Sequence, residues 1–282
     1  MVVLVSGASG QLGQSLRHVA GCFPEIDFVF CNSNELDITD QADCESVFAR
    51  IKPDYCINTA AYTAVDKAES EPEKAASINV TGAKNLAVAC KKSGSILLHI
   101  STDFVFDGKS NTPYTEESQT NPLSVYGRTK LEGEQAISET LKKHFIVRTS
   151  WVYSQFGQNF MKTMLRLGQE RDSVSIVSDQ MGTPTNAIDL AEILVKIIMS
   201  CTTGNPEALF GTYHFSGEGQ CSWYDFAKKI FEANDIKIAV HPIQTKAYPT
   251  QAKRPAYSVL SKAKIKAAFG IEIKNWEESL KK

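Results

Sequence analysis

Tyr126 and Lys130 stand four residues apart in Val-Tyr-Gly-Arg-Thr-Lys, inside a stretch that reads as a helix. On a helix that spacing puts both side chains on one face, so a phenol and an ammonium can enter one site. An ordinary phenol, with a pKa of about 10, shuttles protons poorly at neutral pH. A neighbouring cation stabilises the phenolate and is expected to draw that pKa toward the working range, which is what acid–base catalysis at a carbonyl needs. Taken alone, Tyr and Lys at this spacing describe a solvated pair on most helices. Two other stretches change the reading: a glycine loop near the start of the chain, and Ser101-Thr102-Asp103 at the carboxyl end of a strand expected at the same crevice.

The loop is Gly7-Ala8-Ser9-Gly10-Gln11-Leu12-Gly13, directly after the apolar run 2–5 and before a helical pattern. The first glycine permits the tight turn, the second lets backbone amides approach a pyrophosphate, and the third allows close helix packing, while the helix N-terminus favours the negative charge. A Walker loop is excluded by spacing, since Gly108-Lys109-Ser110 would need a glycine where Asp103 stands. The second strand ends Phe30-Cys31-Asn32-Ser33-Asn34, with no acid to select the adenosine ribose diol and no arginine to attract a 2′-phosphate. NADPH is therefore slightly preferred, with NADH as an alternative. Asp37, in Leu-Asp-Ile-Thr-Asp, is placed to accept from the adenine amino group or to cap the next helix, a task that Thr39 or Asp40 can fill better.

These groups need elements to hold them. Short β-branched runs at 2–5, 27–31, 55–58, 96–101 and 145–148 alternate with helical patterns at 12–20, 41–51, 73–92 and 124–143. The alternation predicts an α/β fold, a doubly wound parallel sheet of the Rossmann type over residues 1–150. Residues 151–282 are expected to build mainly a smaller substrate-binding domain, with segments near 182–216 returning to the first domain. Its elements are helices at 159–169 and 188–199, strands at 174–177 and 213–215, and a helix opened by the cap Ser222-Trp223-Tyr224-Asp225. The proline-bearing stretch 248–255 should be extended. No repeat, low-complexity tract or long polar linker interrupts the chain.

Hydrophobic residues make up 43% and charged ones 22% of the 282, which is ordinary globular usage. With 30 basic and 32 acidic residues the net charge is −2, so nucleic acid and anionic membranes find no general attraction. The 7 cysteines are scattered without a C-x-x-C pair, as reduced thiols of a cytoplasmic protein would be. Met1 leads straight into the apolar run with no basic leader, and Glu192 and Lys196 break the longest later apolar stretch. The 5 histidines show no ligand spacing, and no metal is expected. No G-x-S-x-G elbow supports a hydrolase.

With the glycine loop, NTAAYTAVDKAE from Asn58, NVTGAKNLA from Asn79, STDFVFDG from Ser101, VYGRTKLEGE from Val125, RTSWVY from Arg148, DQMGTPT from Asp179 and SWYDFA from Ser222, the chain resembles the extended short-chain dehydrogenases/reductases. Within them it resembles the dTDP-4-dehydrorhamnose reductases over nearly its whole length. The resemblance implies reduction of the C4 ketone of dTDP-4-dehydro-L-rhamnose by hydride from NADPH or NADH. It makes Tyr126 the proton donor, Lys130 its tuning residue and a ligand of the nicotinamide ribose, and Thr102 a hydrogen-bond partner of the carbonyl oxygen. It places Gly10, Gln11, Leu12, Asp37, Ile38, Ala61, Tyr62 and Thr63 on the cofactor. Trp151, with Asp103 beside it, would pack on the sugar, and Arg254 would meet the diphosphate. Phe104 stands where dehydratases of the superfamily carry an acid, which disfavours elimination. Gln14-Ser15 stand where some rhamnose reductases carry a glutamate that bridges dimers through magnesium, which puts that metal and that dimer in doubt; a monomer or homodimer is expected. The alternatives are a reductase or epimerase of another nucleotide-linked keto sugar, and a non-catalytic NADP-binding regulatory subunit, which would have no need of the catalytic phenol.

Overall fold

Val3 and Val5 point to one side of the first strand and Leu4 to the other, and all three are fully buried, so the strand that delivers the glycine loop is covered on both faces. The computed structural model describes residues 1–202 and 206–280. Its strands are β1 (Val2–Ser6), β2 (Asp27–Cys31), β3 (Tyr55–Asn58), β4 (Ile96–Thr102), β5 (His144–Thr149), β6 (Val152–Tyr153), β7 (Ser173–Val177), β8 (Met181–Gly182), β9 (Thr185–Asn186), β10 (Gly211–His214), β11 (Cys221–Ser222) and β12 (Ala239–Ile243). Six of them form one parallel sheet in the order β10-β5-β4-β3-β1-β2. This is the doubly wound α/β sheet expected from the sequence. The chain leaves β1 toward β2 on one side and returns to β3 on the other, so the crevice of the fold opens at the carboxyl ends of β1 and β3.

The helices are α1 (Gln11–Val19), α2 (Gln41–Ile51), α3 (Val65–Ala68), α4 (Pro72–Ala76), α5 (Ala83–Ser93), α6 (Val125–Thr140), α7 (Phe160–Glu170), α8 (Ala187–Thr202) and α9 (Trp223–Ala233), followed by two short ones. Leu12, Leu16 and Val19 of α1 and the apolar face of α8 pack on Val3, Val5 and Val147. Val47 and Phe48 of α2, Leu86 and Cys90 of α5 and Ile137 of α6 cover Leu4, Cys56 and Leu97 on the opposite face. A separate cluster around Phe226, Ile230, Met164 and Trp276 holds α7 and α9 against β7, which pairs with β12. Ser222 and Asp225 close α9 with a capping box.

The helix expected over 73–92 is not continuous. α4 runs into a wide π-type turn, Ser77–Gly82, before α5 begins. The turn directs Asn79 inward, where its Oδ1 accepts from the Tyr62 amide at 2.9 Å and its Nδ2 donates to Tyr62 O at 3.2 Å and to Thr129 Oγ1 at 3.1 Å. Local irregularity thus ties the loop after β3 to α6. The helix expected to reach 143 stops at Thr140, because Leu141 is extended at φ −131°.

Candidate active site

Helix α6 begins at an Ser124 cap that accepts from Gly127 N at 3.1 Å. Gly127 then lets the helix lie against the carbonyl of Phe104, which a Cβ would strike. The result is a stripe of Tyr126, Lys130 and Glu134, one helical turn apart, facing the sheet. Glu134 anchors the stripe: Arg148 of β5 donates to it from Nε at 2.9 Å and from NH2 at 2.6 Å, both side chains being buried. Thr102 ends β4, its hydroxyl near the Tyr126 phenol and donating to Asp103 Oδ1 at 3.0 Å. Phe104 packs edge-on against Tyr126 at 5.6 Å.

The expected coupling between phenol and ammonium is not what this geometry shows. Burial, with the Asp103 charge adding to it, pushes the Tyr126 phenol up to about 12, and only the Thr102 hydroxyl pulls it down. Lys130 Nζ instead meets Ile100 O at 2.6 Å and His99 Nε2 at 3.1 Å, and burial pushes the amine down to about 8. Desolvation is the largest cause in both groups, reinforced by the Asp103 charge at Tyr126 and opposed by the Glu134 charge at Lys130. Tyr126 therefore stays protonated through the neutral range, the state that a proton donor requires.

The glycine loop forms a cradle at the crevice. Gly7 has φ +72°, and a Cβ there would lie 2.6 Å from Ala60 N; one at Gly13 would lie 2.6 Å from Ala8 Cα. Gly10 opens α1 with no side-chain cap, so the first amides of that helix are left to a ligand. A groove of about 540 Å³ runs from Gly7, Ser9 and Gly10 past Asn32, Ser33, Asp37 and Ile38 to Ala61 and Lys74. These residues fit a dinucleotide's pyrophosphate and adenosine. Asp40 caps α2, accepting from Ala42 N at 2.8 Å, whereas the Asp37 carboxylate, exposed in the groove, accepts from Thr39. The Leu12 side chain lies in the core, and the Gln11 side chain bonds Val152 O and Asn159. Those two positions can offer backbone groups. Tyr62 is buried with its hydroxyl on Glu71, and Thr63 is exposed.

The expected substrate residues are differently committed. Asp103 is 2% exposed, and burial pushes its carboxyl up to about 6 despite the hydroxyls of Thr102 and Ser258. Among the described residues its Oδ2 finds no hydrogen-bond partner of good geometry. Trp151, at φ +47°, stacks on Trp223 at 3.6 Å and rests against Gly182, so its ring packs on protein. Arg254 forks onto Asp66, with NH1 at 3.1 Å from Oδ1 and NH2 at 2.7 Å from Oδ2. A diphosphate would have to share that guanidinium.

A buried carboxyl whose pKa is raised on folding contributes stability that is present below its unfolded pKa near 3.8 and lost as pH rises through about 6. Asp103→Asn mimics the protonated form. It should raise stability by roughly 2–3 kcal/mol at pH 8, a gain that vanishes near pH 4. Thermal melts at the two pH values check this; equal gains at both would place Asp103 in solvent.

A family model described as "RmlD substrate binding domain" matches residues 1–282. The chain belongs to that family. Within it, the chain is 42% identical to a dTDP-4-dehydrorhamnose reductase of Sinorhizobium fredii, over 100% of this chain and 96% of that relative. A crystal structure of a dTDP-4-dehydrorhamnose reductase from Clostridium acetobutylicum superposes with a TM-score of 0.94 at 42% identity, covering 100% of this chain and 97% of the other. One from Bacillus anthracis, in complex with NADP, has a TM-score of 0.94 at 41% identity over 99% and 96% of the two chains. Among the described residues of this family member, no three His, Cys, Asp or Glu converge as metal ligands, and no helix is long and apolar enough to cross a membrane.

Sequence reasoning missed several supports of the site. Glu134 was readable, since it repeats the four-residue step of Tyr126 and Lys130. Arg148, His99, Asn58, Asn79 and Asp66 carry no such signal, because their partners come from other elements.

Proposed function

We propose that this protein reduces the C4 ketone of dTDP-4-dehydro-L-rhamnose to dTDP-L-rhamnose in the cytoplasm, using NADPH or, alternatively, NADH, with Tyr126 as proton donor. The observation that carries this reading is the Thr102 hydroxyl beside the Tyr126 phenol at the carboxyl end of β4, in a chain 42% identical over its full length to a named reductase. The NADP complex of the B. anthracis relative supports the cofactor class. Residues 1–150, with the segment near 182–216 that contributes β10, serve as the cofactor domain, and the remainder of 151–282 as the substrate domain. The protein acts as a monomer or homodimer.

Gly7, Gly10 and the uncapped start of α1 hold the pyrophosphate, while Asp37, Ile38 and Ala61 line the adenosine end and Lys130 meets the nicotinamide ribose. A bound reduced nicotinamide supplies the hydride. Thr102 and Tyr126 together present hydroxyls to the ketone oxygen as charge develops there, and the phenol gives up its proton. Phe104 and the buried surroundings exclude water from that oxygen. Asp103 and Trp151 contact the sugar, and Arg254 contacts the diphosphate.

The test is NADPH oxidation with an enzymatically generated dTDP-4-keto-6-deoxy-L-sugar, followed by the product's configuration at C4. No oxidation with this substrate, or a product of the wrong C4 configuration, would overturn the reading.

A further inference from the structure

Beneath the catalytic amine lies a line of polar side chains that no step above uses. Ser6 of β1, Asn58 of β3, His99 of β4 and Lys130 of α6 are 0%, 1%, 1% and 2% exposed. Parallel pairing sets Ser6 opposite Asn58 and Asn58 opposite His99. Ser6 Oγ donates to Asn58 Oδ1 at 2.8 Å, Asn58 Nδ2 faces His99 Nδ1 at 3.0 Å, and His99 Nε2 faces Lys130 Nζ at 3.1 Å.

One backbone group decides how the protons are arranged. The amide of Ala60 donates to Asn58 Oδ1 at 3.1 Å, and an amide N–H can only donate. The oxygen of Asn58 is thereby fixed, and the NH₂ is what His99 meets. His99 Nδ1 must accept, so the neutral ring carries its hydrogen on Nε2. That hydrogen points at Lys130 Nζ. An ammonium has three N–H groups and no lone pair, whereas a neutral amine can accept from His99 while donating to Ile100 O at 2.6 Å. The rest of the surroundings agree: burial pushes both the imidazole and the amine toward their neutral forms.

We propose that His99, its tautomer locked by Asn58, is a positioning residue that offers Lys130 a hydrogen-bond donor and so stabilises the neutral amine. The neutral amine accepts from His99 Nε2–H while it donates to Ile100 O. An amine without this donor would hold its proton more tightly. Other charged groups do not supply the effect: Glu134, one turn further along α6, favours the ammonium but is paired with Arg148, Asp103 acts on Tyr126, and His144 acts on His99.

The tautomer can be read directly by nitrogen NMR of histidine-labelled, cofactor-free protein, with His99→Gln assigning the signal. The expected result is a protonated Nε2 and an unprotonated Nδ1 at His99. Asn58→Asp, which gives Nδ1 an acceptor, should reverse the two. In lysine-labelled protein, the midpoint at which Lys130 loses its proton should rise by about one pH unit or more in both His99→Gln and Asn58→Asp. An Nδ1–H tautomer in the wild type, or a Lys130 midpoint unmoved by both variants, would overturn the proposal. Neither readout needs substrate, so failure of the keto-sugar assay would leave the protonation claim standing.

Discussion

Tyr126→Phe is expected to cut ketone reduction by about a hundred- to ten-thousand-fold while cofactor affinity changes little. The substitution removes one oxygen from a ring that is already packed edge-on against Phe104, so the helix and its Ser124 cap have no reason to move. The glycine cradle and the start of α1 belong to other elements, and pyrophosphate binding through them is untouched. What is lost is the phenol beside Thr102, which the proposed mechanism makes the acid for the developing charge. Because burial holds this phenol near 12, the wild-type donor stays loaded across the neutral range, and lowering the pH below neutrality should not rescue the variant. NADPH titration by fluorescence and steady-state reduction of the keto sugar separate the two effects. Turnover within tenfold of wild type would remove Tyr126 from its assigned role.

The second large effect is on stability. Glu134→Gln should destabilise the fold by about 3–5 kcal/mol, because it leaves the Arg148 guanidinium buried beside Phe106 and His214 without its counter-charge. That is a large fraction of the roughly 5–15 kcal/mol by which such domains are stable. The pair also sets the register of α6 on β5, so residual activity should fall with the folded fraction. Chemical denaturation measures the loss, and replacing both partners by apolar residues, Glu134→Leu with Arg148→Met, should recover much of it. A single-variant loss below about 1 kcal/mol would mean that the pair behaves like an exposed one.

Local pattern alone carried a good deal of this protein. The apolar runs that became β1 to β5, the glycine loop and the four-residue step between Tyr126 and Lys130 are all short-range signals, set by strand and helix periodicity and by the φ that Gly7 must adopt. The resemblance read from those blocks agrees with a family model that spans the whole chain. Tertiary structure decided the rest. Lys130 lies on the expected helix, yet its Nζ is directed to Ile100 and His99, 30 and 31 residues away, and burial reverses the expected effect on the phenol. Arg254 meets Asp66 across 188 residues, and Gln11 meets Asn159 across 148. The π-type turn at Ser77–Gly82 interrupts a stretch whose composition reads as one helix, because Asn79 finds better partners in Tyr62 and Thr129. Periodicity reports which face of an element is apolar, whereas the protonation of a buried group depends on desolvation and on partners that only the folded chain brings within 3 Å or so.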